Sequence, residues 1–187
     1  MTAWLVRSDA VAPQPWRNGG GVTRELLAWP AGADWRVRIS VADIESDGPF
    51  SAFPGVERWF VVLKGAGVDL RVAGVPHRLH RGDAPLRFVG GAAADCRLLD
   101  GPTRDLNLML RGATGSMRCA VDAAPWQPPA GAQCGLFSTV AGRCVGDGAE
   151  FEIPAYALLW FDPAPARLVF SAGQRPAAGI GWWLEAA

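Results

Sequence analysis

Apolar and polar residues alternate with a period of two along most of the chain, and glycine or proline interrupts the alternation every eight to twelve residues. That pattern predicts many short strands joined by tight turns, as in a sandwich or barrel, and not the longer helical stripes of βαβ units. Trp35 to Ala42 is the clearest example: Trp35, Val37, Ile39 and Val41 share one face, and Arg36, Arg38, Ser40 and Ala42 the other. Arg58 to Leu63, Lys64-Gly65-Ala66-Gly67 and Val68 to Val72 read as a hairpin whose glycines supply positive φ, with Ala73-Gly74 turning the chain into Val75 to Leu79. Further strands are expected at Val22 to Trp29, Leu86 to Val89, Asp95 to Leu99, Asp105 to Arg111, Met117 to Asp122 and Cys134 to Val140. The last third adds Ala149 to Ile153, Tyr156 to Phe161, Arg167 to Phe170 and Gly179 to Leu184. No window longer than about ten residues carries an apolar stripe at period 3.6, so the expected fold is all-β with little helix.

Gly112 to Ser116 and the proline-rich stretch Ala124 to Gly131 are the candidate internal boundary, dividing the chain into 1–112 and 113–187. Two barrels of similar design and one large barrel with an extended second sheet both fit the pattern. A chain of 187 residues buries a core without disulfide staples. Its four cysteines are widely spaced, with no C-x-x-C pair, and read as reduced, buried thiols.

Charge narrows the function classes. The 18 basic and 18 acidic residues balance and form no like-charged run, which argues against nucleic-acid or membrane-surface partners. All the basic residues but Lys64 are arginines; with abundant Ala, Gly, Pro and Trp this matches a GC-rich coding bias. No apolar run approaches the ~20 residues of a membrane span, and no secretory leader pattern precedes Trp16, so a cytoplasmic location is expected.

The two histidines, His77 and His80, fall at odd and even positions of an extended run, so their side chains leave opposite faces and do not chelate one ion. No metal or cofactor motif is legible. The run Trp16-Arg17-Asn18-Gly19-Gly20-Gly21-Val22-Thr23 is open to two readings: an anion-holding nest of backbone N–H groups, or a tight turn into a strand. Asp47 to Gly55 is a loop stiffened by two prolines that presents Phe50 and Phe53, either as a site wall or as a barrel plug. On Asp105 to Arg111, Leu106, Leu108 and Leu110 share one face and Asp105, Asn107, Met109 and Arg111 the other. Such a polar face is either solvated or turned into a ligand cavity, and the same choice applies to Arg36, Arg38 and Ser40.

Three segments, Pro15 to Glu25, Gly48 to Arg58 and Asp105 to Met109, together resemble the HutD/Ves family in residues, order and spacing. The resemblance implies a cupin-type double jelly-roll barrel (bicupin), here without the two histidines and glutamate with which many cupins hold a metal. It also implies a small anionic metabolite as partner, such as N-formylglutamate or urocanate, bound in the first barrel so as to temper histidine utilisation. The ligand-binding set expected on that basis is Trp16, Asn18, Gly20, Thr23, Arg38, Ser40, Phe50, Arg58, Asp105 and Asn107, with Arg58 paired to the ligand carboxylate. Competing readings are a metal-free cupin isomerase or hydrolase using Asp105 or Glu57 as acid or base, and a stress-response, Ves-like interaction protein. A homodimer through jelly-roll edge strands is compatible with each.

Overall fold

The computed structural model describes residues 2–174 and 179–187. Two compact units divide it: Ala12–Ala113, and the described residues of Met1–Val11 joined with Thr114–Ala187. The expected division at 112/113 and the observed one, at 113/114, differ chiefly in the first eleven residues. Their strand, β1 (Thr2–Arg7), is hydrogen-bonded into the second unit and carries no turn signal that marks this.

The N-terminal unit contains β2 (Gln14–Pro15), β3 (Gly21–Trp29), β4 (Val37–Ile44), β5 (Gly48–Pro49) and β6 (Val56–Lys64). It continues with β7 (Val68–Val72), β8 (Val75–Leu79), β9 (Leu86–Val89), β10 (Ala94–Leu98) and β11 (Thr103–Arg111). They form a six-stranded antiparallel sheet ordered β2-β3-β4-β11-β6-β9 and a four-stranded sheet ordered β5-β10-β7-β8. Ile44, Phe60 and Val62 from the larger sheet meet Val68, Leu70, Val72 and Cys96 from the smaller in one buried cluster. Burying each of the larger aliphatic or aromatic groups there stabilises the unit by about 1.5–3 kcal/mol.

The second unit adds β12 (Gly115–Cys119), β13 (Pro125–Trp126), β14 (Gln133–Ser138), β15 (Gly142–Gly146) and β16 (Ala149–Ile153), then β17 (Ala157–Asp162), β18 (Leu168–Ala172) and β19 (Gly181–Ala186). A five-stranded sheet, β1-β17-β14-β19-β12, and a four-stranded sheet, β13-β18-β15-β16, enclose a core that includes Leu136, Cys144, Phe161, Phe170 and Trp183. Each unit is thus a pair of antiparallel sheets sharing one apolar interior. Among the described residues the only helical element is a 3-10 turn at Ser8–Ala10.

Two expectations need correction. The segments on either side of Lys64-Gly65-Ala66-Gly67 are not a hairpin: β6 pairs with β11 and β9, whereas β7 pairs with β8 and β10. Gly65 (φ 100) and Gly67 (φ 123) do adopt positive φ, but they carry the chain from one sheet to the other. Alternation fixes a strand's faces but not its neighbour, so periodicity alone left the pairing open. The following turn is a true two-residue hairpin, with Val72 opposite Val75 and both Ala73 (φ 47) and Gly74 (φ 83) left-handed. Not all the thiols are buried either: Cys96, Cys134 and Cys144 are, but Cys119 at the end of edge strand β12 is exposed.

The six-stranded sheet presents three tiers of side chains to the interior of its unit. Register places Arg38 and Arg58 on either side of Met109, Ser40 and Phe60 on either side of Asn107, and Ala42 and Val62 on either side of Asp105. The third tier is therefore the driest. Asp105 is fully buried there, accepts the Thr103 hydroxyl at 2.7 Å, and leaves Oδ1 without a partner. Loss of solvation pushes its carboxyl up to about 8, against the opposing effect of the Thr103 bond and with a smaller contribution from the like charge of Asp43.

Two outcomes follow from this interior. Gly21 runs so close to β4 that a Cβ would lie 2.2 Å from the Asp43 carbonyl oxygen, so Gly21→Ala should cost about 1–3 kcal/mol in urea unfolding. Because the folded Asp105 holds its proton where the unfolded chain releases it, its contribution is fully present below the ordinary carboxylate range. That contribution is lost as pH rises through about 8. Stability should fall across that interval with a slope of up to about 1.4 kcal/mol per pH unit, and Asp105→Asn should flatten the slope in denaturant melts run at several pH values.

Candidate functional site

The first two tiers open into a cavity of about 620 Å³ in the N-terminal unit. Its back wall is the inward row of β4, β11 and β6: Arg38, Ser40, Asn107, Met109, Arg58 and Phe60 all line it. Of the polar strand faces that periodicity could assign either to solvent or to a pocket, Arg38, Ser40, Asn107 and Met109 line the pocket, whereas Arg36 and Arg111 donate to the Gly112 and Ala33 carbonyls away from it.

Arg58 is the centre of this wall. Its side chain is buried, at 5% exposure, and one N–H of the fork donates from Nη2 to Asn107 Oδ1 at 2.8 Å. The guanidinium carbon lies 5.2 Å from the Phe50 ring centroid, 5.7 Å from Phe53 and 5.0 Å from Phe88, a three-sided aromatic enclosure. Nε is buried with no hydrogen-bond partner. Desolvation, followed by the nearby charge of Arg38, pushes the group down to about 10, so it remains a cation at neutral pH. Unlike the paired arginines of the fold, it has no carboxylate ion-pair partner among the described residues. Arg38 does: its Nε donates to Glu25 Oε2 at 2.6 Å, and its Nη1 points to the Met109 sulfur at 3.8 Å. A register shift between Glu25 and Leu27 re-aims this part of β3.

The front wall comes from the glycine-rich turn and the proline loop. Trp16 donates its indole N–H to Thr23 Oγ1 at 2.7 Å and meets Phe50 edge-on at 6.3 Å between centroids. Phe50 in turn packs against Phe60. Backbone bonds from Phe50 N–H to the Ala94 carbonyl at 2.8 Å, and from Phe53 N–H to that of Gly90 at 2.7 Å, hold the proline loop in place. The triglycine segment is a turn and not an anion nest. The N–H of Gly19 is donated to the Trp16 carbonyl and that of Gly20 to Asn18 Oδ1, while Trp16 N–H bonds the Gly21 carbonyl. Those bonds consume the donors that a nest would need.

Eight of the ten expected residues line the cavity: Trp16, Asn18, Thr23, Arg38, Ser40, Phe50, Arg58 and Asn107. Gly20 and Asp105 do not. Gly20 is buried within the turn, where an added Cβ would press on Ser46 and Asn18, and Asp105 lies one tier below, between Ala42 and Val62. Glu57 is also off the wall: it precedes Arg58 on β6 and so leaves the opposite face, where it accepts the Trp59 indole N–H at 3.0 Å and pairs with Arg87. Phe60 and Met109 line the site without having been in the expected set; each lies two residues from a chosen one on the same strand, so period-two alternation was the available signal. Arg17 at the exposed rim was legible only as a neighbour of Trp16 and Asn18.

Among the described residues that line the cavity none is Asp, Glu, His or Cys, and three are arginines. Among the described residues no group of three His, Cys, Asp or Glu side chains is placed to hold a metal ion. No described helix is long and apolar enough to cross a membrane. Chemically the chamber offers cationic and neutral donors above aromatic walls, which suits recognition of an anion with an apolar body.

Comparison with known proteins bears on the fold and the family. A protein encoded in the hutC 3′ region of Pseudomonas putida is 39% identical over 109 residues, 56% of each chain. The protein Ves of Citrobacter koseri is 42% identical over 99 residues, 51% of each chain. These alignments span about half the length of the curated relatives. At the level of structure, HutD from Pseudomonas fluorescens superposes with a TM-score of 0.82 at 26% identity, over all of this chain and 98% of the other. A cupin 2 conserved barrel domain protein from Leptotrichia buccalis shares the fold, with a TM-score of 0.60 at 9% identity over 97% of this chain and 95% of the other. The fold is therefore cupin-type, all-β, and since the HutD family model matches residues 8–175, the chain belongs to the HutD family.

Proposed function

We propose that the N-terminal unit is a binding chamber for a small organic carboxylate, and that the protein works as a ligand-responsive modulator of histidine utilisation. The observation that carries this reading is Arg58: a buried cation lining a cavity, with donors to spare and no carboxylate partner among the described residues. A buried charge left without a counter-ion is costly, and a ligand carboxylate relieves that cost with two parallel charge-assisted bonds. Arg38, already matched by Glu25, adds positive field more than a second strong binding point. Asn107 holds the Arg58 fork in plane, and Ser40 supplies a further polar group on the same wall.

Binding is favoured over catalysis by the lining itself. General acid–base chemistry near neutral pH calls for a carboxyl, imidazole or thiol within reach of the ligand, and the wall has none. The enzymatic alternative placed its acid or base at Asp105 or Glu57, and neither reaches the chamber. The names of the relatives, HutD and a protein of the hutC 3′ region, support histidine utilisation as the setting, and make N-formylglutamate and urocanate the first ligands to test.

A thermal-shift series with N-formylglutamate, urocanate and simple carboxylates should reveal at least one stabilising ligand, worth ~2.7 kcal/mol at 100 times its dissociation constant. Arg58→Ala should weaken that ligand by about 2 kcal/mol, roughly thirtyfold. Arg58→Lys should recover only part of the loss, because an ammonium lacks the planar fork. Undiminished binding by Arg58→Ala would refute the assignment.

A further inference from the structure

Three arginines line the chamber, and they are not equivalent. Arg17 stands at the exposed rim, where water and salt screen its charge, whereas Arg38 and Arg58 belong to the back wall. Arg58 has no carboxylate partner among the described residues, and Arg38 is paired with Glu25, Nε to Oε2 at 2.6 Å. Glu25 is outside the cavity lining, and its side chain is 34% exposed against 16% for Arg38. Among the described residues it is the one carboxylate ion-paired with a cavity arginine.

Strand β3 is shaped for this pair. Thr23 opposes Ala42 and Glu25 opposes Ser40, which places both on the inward face. An uninterrupted strand would set Leu27 opposite Arg38. The register shift after Glu25 sets Ala28 there instead, packed against the cluster of Trp35, Val56 and Met109. A methyl group in place of a leucine side chain leaves the Arg38 guanidinium open to Glu25 in the next row.

Resting on the carboxylate-binding reading above, we propose that Glu25 sets the charge of the ligand: by holding Arg38 it restricts the chamber to small carboxylates that carry a single negative charge. The two guanidinium groups of the back wall and the Glu25 carboxylate together leave one net positive charge. A first ligand carboxylate meets Arg58 and cancels that charge. A second would leave water for a place where the nearer guanidinium is already neutralised, and an unmatched charge in a dry site is costly. A neutral amide or hydroxyl in the same position meets Ser40 and the remaining N–H groups of Arg38 without that cost. Glu25 thus acts through Arg38, as a positioning residue that decides specificity and does not touch the ligand.

Isothermal titration calorimetry at neutral pH and fixed ionic strength tests this with N-formylglutamate and its two monoamides, which keep its shape and carry one charge fewer. Wild type should bind the better monoamide at least as tightly as the diacid. Glu25→Gln keeps an oxygen acceptor for Arg38 and removes the negative charge, so it should shift the affinity ratio toward the diacid by about tenfold. General damage to the fold weakens all three ligands alike and cancels in that ratio. Adding Arg38→Gln to Glu25→Gln should abolish the gain. A wild-type preference for the diacid, a ratio unchanged in Glu25→Gln, a gain that survives Arg38→Gln, or no binding of any of the three by wild type overturns the proposal. Undiminished binding by Arg58→Ala instead defeats the carboxylate-binding reading itself.

Discussion

A guanidinium buried among three phenyl rings, with one neutral amide as its side-chain hydrogen-bond partner, is the constraint around which the N-terminal unit is arranged. Arg58 cannot leave its strand face without exposing those rings, and it cannot lose its proton at neutral pH even though burial and Arg38 draw it down to about 10. The fold therefore holds a positive charge in a dry place and leaves the counter-charge to come from outside. Register makes this possible: Arg38, Met109 and Arg58 share one tier, and Ser40, Asn107 and Phe60 the next, so a polar upper interior grades into an apolar lower one within three residue pairs.

The same gradient explains what happens to Asp105. It lies on the same face as Asn107, two residues along β11, but one tier lower the neighbours are Ala42 and Val62, and the carboxyl there is held in its neutral form by loss of solvation. A step of two residues along one strand thus separates a ligand-facing amide from a carboxyl closed off from the cavity. The rim works differently again. Trp16, tied to Thr23, and Phe50, tied through the proline loop to the opposite sheet, fix the aromatic wall by backbone turns and not by strand register.

Much of this was legible beforehand because period-two alternation is a local property. It identified the faces of β4 and β11, including Arg38 and Ser40, and the three motif segments supplied the other six expected residues that line the cavity. What stayed hidden depends on pairing between distant strands. Nothing local to Lys64-Gly65-Ala66-Gly67 tells whether the chain doubles back or crosses to a second sheet, and nothing in Thr2 to Arg7 announces that it joins a strand beginning at Ala157. Depth is likewise a tertiary property: Asp105 and Asn107 read alike on the strand, and only the rows formed with β4 and β6 separate them. The triglycine turn shows the same limit, since its N–H groups are consumed by Trp16 and Asn18 in bonds that composition does not reveal.

The central claim is that a ligand carboxylate completes the Arg58 ion pair inside this chamber. A crystal structure of the protein soaked with the carboxylate that stabilises it best tests this most directly. The account predicts carboxylate oxygens within about 3 Å of the Arg58 guanidinium nitrogens, with the ligand body against Trp16 and Phe50. A ligand bound elsewhere, with Arg58 still bonded to Asn107 alone, would contradict it.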